Sequence, residues 1–329
     1  MSQSINAIVY ATHGKPEEVL GLEEQTLAAP GADEALVRLK AAPINPADLN
    51  QIEGKYPIRF PLPATPGFEG AGIIEAVGAK VKGHKPGELV ILPHDLGTWR
   101  EAAVLRADRL TTVPEGIEPA EAAMLKINPL TAWRVLHDFV RLQPGDWMIQ
   151  NAANSGVGRA VIAICRELGF RSVNVVRRAE LISELRNQGG DVVLLDNDEL
   201  REAAAAATDK APIRLGLNQV GGASALRMAK AVAPEATVVT IGAMSLQPLT
   251  LPNGLLIFKN LHFTGFWVNK WYESASASQR TQAFERIFAI AQRGLLRTPV
   301  ERAYSLGEFK AAVQRASEGE RAGKIIFHL

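Results

Sequence analysis

The sequence predicts an α/β protein in which a doubly wound domain is set inside a second, β-rich domain. Three observations predict it. At 329 residues the chain is longer than one hydrophobic core usually serves, so two domains are expected. Residues 5–117 read as strands broken by Gly and Pro turns, whereas after Pro119 strands alternate with single helices. A final strand pattern, Lys324-Ile325-Ile326-Phe327, stands where it can return to the N-terminal domain.

The β-rich part comes first. Ala35-Leu36-Val37-Arg38-Leu39-Lys40 alternates, and Gly70-Ala71-Gly72-Ile73-Ile74-Glu75-Ala76-Val77-Gly78 is a small and β-branched run between glycines. Pro43, Pro46, Pro57, Pro61, Pro63 and Pro66 crowd one segment, which predicts an irregular, non-helical loop of the kind that carries substrate contacts. Beyond Pro119, residues 120–125 and 131–139 read as helices, with Asn128-Pro129 as a break between them. Gln143-Pro144-Gly145-Asp146 is a turn, and Trp147-Met148-Ile149-Gln150-Asn151 a buried strand. A helix over 156–168 ends at Gly169, the usual left-handed stop. Strands at 173–176, 192–195, 214–218, 237–241 and 261–266 follow, with helices at 179–188, 198–207 and 276–294. Such alternation implies right-handed crossovers and a parallel sheet covered on both faces.

Composition narrows the function classes. Hydrophobic residues at 47% and charged residues at 22% are ordinary for a globular protein. The formal charge of +1 argues against a nucleic-acid partner, because reading a phosphate backbone calls for a basic surface. The single cysteine, Cys165, cannot form an internal disulfide, and its place in Val161-Ile162-Ala163-Ile164-Cys165 predicts a buried structural thiol. The six histidines show no paired metal-ligand spacing, so no zinc is expected. Met1-Ser2-Gln3-Ser4-Ile5-Asn6 lacks a secretory pattern and no apolar run approaches ~20 residues, which predicts a cytoplasmic protein with no membrane partner.

The most informative segment is the strand–turn–helix–strand over 147–178. The turn Asn154-Ser155-Gly156-Val157-Gly158 lets the backbone approach a pyrophosphate at a helix N-terminus, whose free N–H groups favour anions. An ordinary βα turn without ligand is the alternative. The next strand ends in Arg177 and Arg178 with no carboxylate before Glu180. An acidic residue there would bind the ribose diol of NADH, whereas a guanidinium suits the 2′-phosphate of NADPH. NADPH is therefore the expected cofactor, against two merely solvated arginines.

Together these segments resemble the medium-chain dehydrogenase/reductase superfamily over nearly the whole chain, through Pro66-Gly67-Phe68-Glu69-Gly70-Ala71-Gly72, Pro86-Gly87-Glu88-Leu89-Val90 and the Asn154 turn. The resemblance implies a GroES-like catalytic domain at 1–117 and 296–329 around a Rossmann NADPH-binding domain at 118–295. In zinc members a Cys and a His ligate the catalytic metal; the matching places here are Asn45 and Phe68, so the likeness implies a zinc-free site. More specific blocks are similar to mitochondrial-type trans-2-enoyl thioester reductases: Pro43-Ile44-Asn45-Pro46-Ala47-Asp48-Leu49-Asn50, Leu96-Gly97-Thr98-Trp99-Arg100, Asn174-Val175-Val176-Arg177, Leu217-Asn218-Gln219-Val220-Gly221-Gly222 and Gly265-Phe266-Trp267.

That likeness implies a catalytic tyrosine at Tyr56 and cofactor contacts from Asn128, Asn154, Ser155, Gly156, Val157, Gly158, Arg177, Arg178, Gly242, Ala243, Met244, Phe266, Trp267, Val268 and Lys324, with Asn45 and Trp267 lining the substrate pocket. The chain departs from the family at Pro57-Ile58-Arg59-Phe60 after Tyr56, at Ala243 in place of a second glycine, and at Lys126 before Ile127-Asn128. The implied reaction is NADPH-dependent reduction of an enoyl thioester. Two alternatives stand beside it, an NADPH:quinone or enone reductase and a non-enzymatic NADPH-binding structural or RNA-associated protein. A strand over 261–266 at a sheet edge would pair with its symmetry mate, so a homodimer is expected.

Overall fold

The strand signals of the first third become seven strands in the computed structural model, which describes residues 2–319 and 321–329. They are β1 (Gln3–Tyr10), β2 (Leu20–Leu27), β3 (Glu34–Pro43), β4 (Ala71–Val77), β5 (Leu89–Ile91), β6 (Ala102–Arg106) and β7 (Thr111–Thr112). The middle of the chain supplies β8 (Trp147–Gln150), β9 (Arg171–Val176), β10 (Val192–Leu195), β11 (Ile213–Asn218), β12 (Thr237–Thr240) and β13 (His262–Gly265). The last stretch adds β14 (Val300–Tyr304) and β15 (Lys324–His328). Contacts divide the chain into a first unit, Met1–Ile127 with Arg297–Leu329, and a second, Asn128–Leu296.

In the first unit β1 and β2 form an antiparallel ribbon, and the larger sheet runs β14-β15-β3-β4-β5-β7, with β6 also paired to β3. The alternation read in the sequence is the pleat of β3: Ala35, Val37, Leu39 and Ala41 are all buried. β15 pairs antiparallel with β3, Ile326 opposite Pro43, so the C-terminal strand does return to this unit. There Trp99 packs edge-on against Phe327, centroids 5.1 Å apart, in a core shared with Ile8, Tyr10 and Ile325. Residues 118–127 also fall in this unit, where the short helix Pro119–Ala122 packs on β3, β4 and β5.

The proline-rich segment contains a helix, Pro46–Ile52, that the sequence reading excludes. Pro46 stands at the first helical position, where its missing N–H would have no partner and its fixed φ suits the helix. The same physics corrects Asn128-Pro129, which opens the helix Asn128–Asp138 instead of separating two helices.

The second unit is a six-stranded parallel sheet in the order β10-β9-β8-β11-β12-β13. Chain order reverses between β8 and β11, and at such a switch point doubly wound sheets bind their ligands beyond the carboxyl ends of the strands. The helix Gly156–Leu168 ends where Gly169 turns left-handed at φ 71°. Cys165 on this helix is fully buried, and burial pushes its thiol above the ordinary range.

Candidate active site

In the first unit the site grows from the end of β3. Asn45 caps the helix Pro46–Ile52, and Asp48, at its third position, reaches back to accept the Asn45 backbone N–H at 2.6 Å. The other Asp48 oxygen accepts the Phe68 N–H at 2.9 Å. Because Asp48 anchors the backbone, the Asn45 side chain is used elsewhere: its Nδ2 donates to Glu69 Oε1 at 2.8 Å and its Oδ1 accepts from Lys324 Nζ. The second Glu69 oxygen accepts the Ile127 N–H at 2.8 Å, and Thr98 Oγ1 donates to the Glu69 carbonyl at 2.5 Å. Gly67 permits this closeness; at φ 107° a Cβ there would lie 2.4 Å from Thr98 Oγ1.

Five ionisable groups, Asp48, Glu69, Lys126, Lys324 and His94, thus share the interior of this unit. Burial pushes the Asp48 carboxyl up to about 7, against the two backbone donors that favour its charge. Burial also raises Glu69, while Lys324 opposite holds it back. Lys126, buried with its Nζ donating to the Leu92 carbonyl at 2.5 Å, is pulled by burial down to about 7, with Glu69 and Asp95 opposing. His94 is pulled down to about 4 by burial and then by Lys126. Among the described residues no group of three or more His, Cys, Asp and Glu could hold a metal ion.

Tyr56 follows this helix after a turn through Gly54, with its N–H on the Asn50 carbonyl at 3.1 Å. Its half-buried ring lies 5.0 Å from that of Phe68, tilted by 47°. Phe68 is fully buried and also meets Phe60, at 6.0 Å, so the departing segment 57–60 supplies one side of an aromatic cluster.

In the second unit the expected cofactor residues gather at the carboxyl edge of the sheet. After β8, Ser155 caps the helix Gly156–Leu168, its Oγ accepting the Gly158 N–H at 3.0 Å and donating to Gln219 Oε1 at 2.8 Å. Gly158 sits so close to the turn that a Cβ there would lie 2.4 Å from the Ala153 carbonyl oxygen. Asn154 gives its carbonyl to Arg159 at 3.1 Å, and Val157 is buried. Arg177, exposed, and Arg178, half-buried with its Nε 3.4 Å from Glu180, directly follow β9. Beyond β12, Gly242, Ala243 and Met244 fold back until the Met244 N–H meets the Gln219 carbonyl at 3.1 Å. Beyond β13, Phe266 packs on Phe139 at 6.0 Å, Trp267 is 36% exposed and Val268 is buried.

Asn128 completes this edge. It is buried, its Nδ2 has no hydrogen-bond partner, and a Cβ on Gly156 would come within 2.7 Å of that atom. A buried amide donor left open beside a glycine and a capped helix N-terminus suits an anionic, amide-bearing ligand such as NADPH. Lys324, grouped with these contacts by resemblance, belongs to the first unit, where its Nζ donates to Asn45 Oδ1.

Sequence reasoning assigns no role to the polar ladder beneath the turn. Asn151 Nδ2 donates to Asn218 Oδ1 and to Ser224 Oγ, both at 3.0 Å, and its Oδ1 accepts the Gln219 N–H at 2.7 Å. Gln150 Nε2 donates to the Gly158 carbonyl at 2.9 Å and to Asn174 Oδ1 at 2.7 Å. The available signal was amide side chains at the ends of otherwise apolar strands, where a buried polar group needs a dedicated partner.

Residues 31–115 match the family described as the alcohol dehydrogenase GroES-like domain, and residues 156–283 the one described as zinc-binding dehydrogenase. The mitochondrial enoyl-[acyl-carrier-protein] reductase of Rattus norvegicus is 40% identical over 317 residues, covering 94% of this chain and 85% of the relative. Among solved structures, a provisional NADPH:quinone reductase from Bacillus thuringiensis superposes with a TM-score of 0.92 at 29% identity, covering 99% of each chain. The Etr1p/NADP/crotonyl-CoA complex superposes at 0.91 and 27% identity, over 99% of this chain and 100% of that one. The expectation of a cytoplasmic protein is overturned, since the rat relative is mitochondrial. Lack of a secretory pattern and of a spanning run, on which that expectation rests, does not separate the two compartments.

Proposed function

This chain belongs to the mitochondrial-type enoyl thioester reductases of the medium-chain dehydrogenase/reductase superfamily, and we infer from that membership that it is an NADPH-dependent enzyme reducing the 2,3-double bond of enoyl thioesters. The observation that carries the reading is the 40% identity to an enoyl reductase across 94% of the chain. In this reading the first unit, Met1–Ile127 with Arg297–Leu329, is the catalytic domain and the second, Asn128–Leu296, the NADPH-binding domain.

Bound NADPH supplies the hydride that adds at Cβ. Asn128, with its open amide donor, and the turn from Asn154 to Gly158 hold the cofactor, and Gly242, Ala243, Met244, Phe266, Trp267 and Val268 line its path along the sheet edge. Arg177 and Arg178 take the 2′-phosphate, to which a guanidinium offers paired, charge-assisted donors. Tyr56 uses its one phenol O–H either to hold the thioester carbonyl oxygen as negative charge gathers there or to supply the proton to Cα. Asn45 and Trp267 are each assigned to the substrate, and Lys324 is assigned to the cofactor through its cation. The chain works as a homodimer: among the described residues β13 pairs only with β12, and its edge residues His262, Thr264 and Gly265 are exposed near Ile257 and Phe258 in sequence.

A second reading, an NADPH:quinone or enone reductase, is favoured by the Bacillus thuringiensis neighbour. NADPH oxidation with crotonyl-CoA beside a simple quinone separates the two. Turnover of the thioester, lost in Tyr56→Phe, supports the first; turnover of the quinone alone replaces it with the second.

A further inference from the structure

We propose that Glu69 is a positioning residue of this site, a buried carboxylate that sets which way the Asn45 amide points and thereby holds Lys324 in place. The inference rests on the reading above for the roles of Asn45 and Lys324, but its geometry is independent of the substrate. Glu69 is fully buried, with its main chain fixed by Thr98 Oγ1 and its Oε2 by the Ile127 N–H at 2.8 Å.

The Ile127 N–H can only donate, so Glu69 Oε2 must accept. Charged Glu69 can only accept through Oε1 as well, so Asn45 must turn its NH₂ toward it, at 2.8 Å. That leaves Asn45 Oδ1, and not Nδ2, facing the Lys324 ammonium. Each step has one allowed donor direction, and the chain of directions starts at Glu69. In Glu69→Gln the amide oxygen must still accept the Ile127 N–H, so its NH₂ faces Asn45; the Asn45 amide then reverses and turns Nδ2 toward the Lys324 ammonium.

The charges act in the same direction. Burial lowers the Lys324 ammonium below the ordinary lysine range; Glu69 and Asp48 oppose this, and Arg321 adds to it. Lys126 faces Glu69 from the segment before Asn128 and competes for its charge. Removing the Glu69 charge therefore lowers the pH at which Lys324 loses its proton.

The test is direct NADPH binding, followed by fluorescence across an alkaline pH series, for wild type, Glu69→Gln, Glu69→Asp, Lys324→Met and the Glu69→Gln/Lys324→Met double variant. Glu69→Gln is expected to weaken NADPH about tenfold and to move the alkaline limb of binding to lower pH. Glu69→Asp restores that limb in part, and Lys324→Met abolishes it. The double variant then binds as Lys324→Met alone does, since Glu69 acts through the lysine. An unmoved limb in Glu69→Gln, or additive losses in the double variant, overturns the proposal. If Glu69→Gln does not fold, Asn45→Ala carries the test, because it cuts only the link and shifts the limb in the same direction by less; an unmoved limb there overturns the proposal too. Enoyl thioester turnover is measured in parallel: a wild type that shows the Glu69-dependent limb without reducing the thioester refutes the assigned reaction and leaves this inference standing.

Discussion

Tyr56 and Phe68 meet as tilted rings 5.0 Å apart, and the second ring is pinned because its own backbone N–H is held by buried Asp48. The phenol thus leans on a fixed wall although it sits on a loop. Phe68→Leu should leave the fold intact and lower kcat for the enoyl thioester, with the KM for NADPH unchanged. Phe68→Ala should in addition cost about 3–5 kcal/mol of stability, the usual result of emptying an aromatic site. Steady-state kinetics beside urea unfolding check both; an unchanged kcat in both variants removes the positioning role of Phe68.

Tyr56→Phe keeps the ring and its packing but removes the O–H. Loss of a group that stabilises the oxyanion or delivers the proton should lower kcat by about 10²-fold or more. Melting temperature should not move, because the half-buried ring keeps its contact with Phe68. A variant as fast as wild type assigns the proton to another donor.

The two glycines of the cofactor turn should fail in different ways. A Cβ at Gly158 meets the backbone carbonyl of Ala153 at 2.4 Å, which cannot yield cheaply, so Gly158→Ala should destabilise by about 1–3 kcal/mol. A Cβ at Gly156 meets only the Asn128 side chain, at 2.7 Å, which can swing aside. Gly156→Ala should therefore melt near wild type yet bind NADPH more weakly. Equal melting temperatures for the two variants would contradict the distinction.

Arg177→Ala and Arg178→Ala should each weaken NADPH by about ten- to a hundredfold, the span expected for a charge-assisted hydrogen bond of about 1.5–3 kcal/mol. NADH, which lacks the 2′-phosphate, should be little affected. Equal losses for both dinucleotides would mean that the arginines serve the turn and not the phosphate.

Lys126 predicts a pH dependence of stability. Its folded-state value, about 7, lies below the unfolded lysine value, so between them the folded chain binds fewer protons than the unfolded one. Its contribution is therefore present in full above the unfolded value and is lost as pH falls through about 7. Relative to Lys126→Met, the wild type should gain stability as pH rises from about 7 to about 10, by no more than about 1.4 kcal/mol per pH unit. Denaturant midpoints for the pair across that range decide it; parallel curves would mean that Lys126 is charged throughout.

Most of the architecture was legible because periodicity and turn chemistry agree with it. The alternation at 35–40 is the pleat of β3, and the glycine after 168 does end its helix at φ 71°. What misled was proline. Pro46 and Pro129 were read as breakers, yet both stand at helix starts, where a missing N–H costs nothing. For the candidate site, the arginines after β9 are legible from their place at a strand end. Tyr56 comes only from the family resemblance, through the block before it, and Ser155 reads as part of the turn, its capping of the helix being visible only in the structure. Sequence reasoning assigns no role to Asp48 and Glu69, although both lie inside recognised blocks. Acidic residues in a loop-rich segment normally read as solvated, and only the burial contributed by Phe68, Ile127 and β15 makes them anchors.

The pairing of β15 with β3 fixes an order of events during synthesis. Asn128–Leu296 holds all six strands of its own sheet and can complete its core as soon as it leaves the ribosome. The first unit cannot, because the strand that covers β3 alongside Pro43 is translated only after the whole second unit. Until then the nascent chain carries an unzipped sheet edge with Trp99 still lacking Phe327, a natural place for a chaperone to act. The half of the protein that is made first is the half that is finished last.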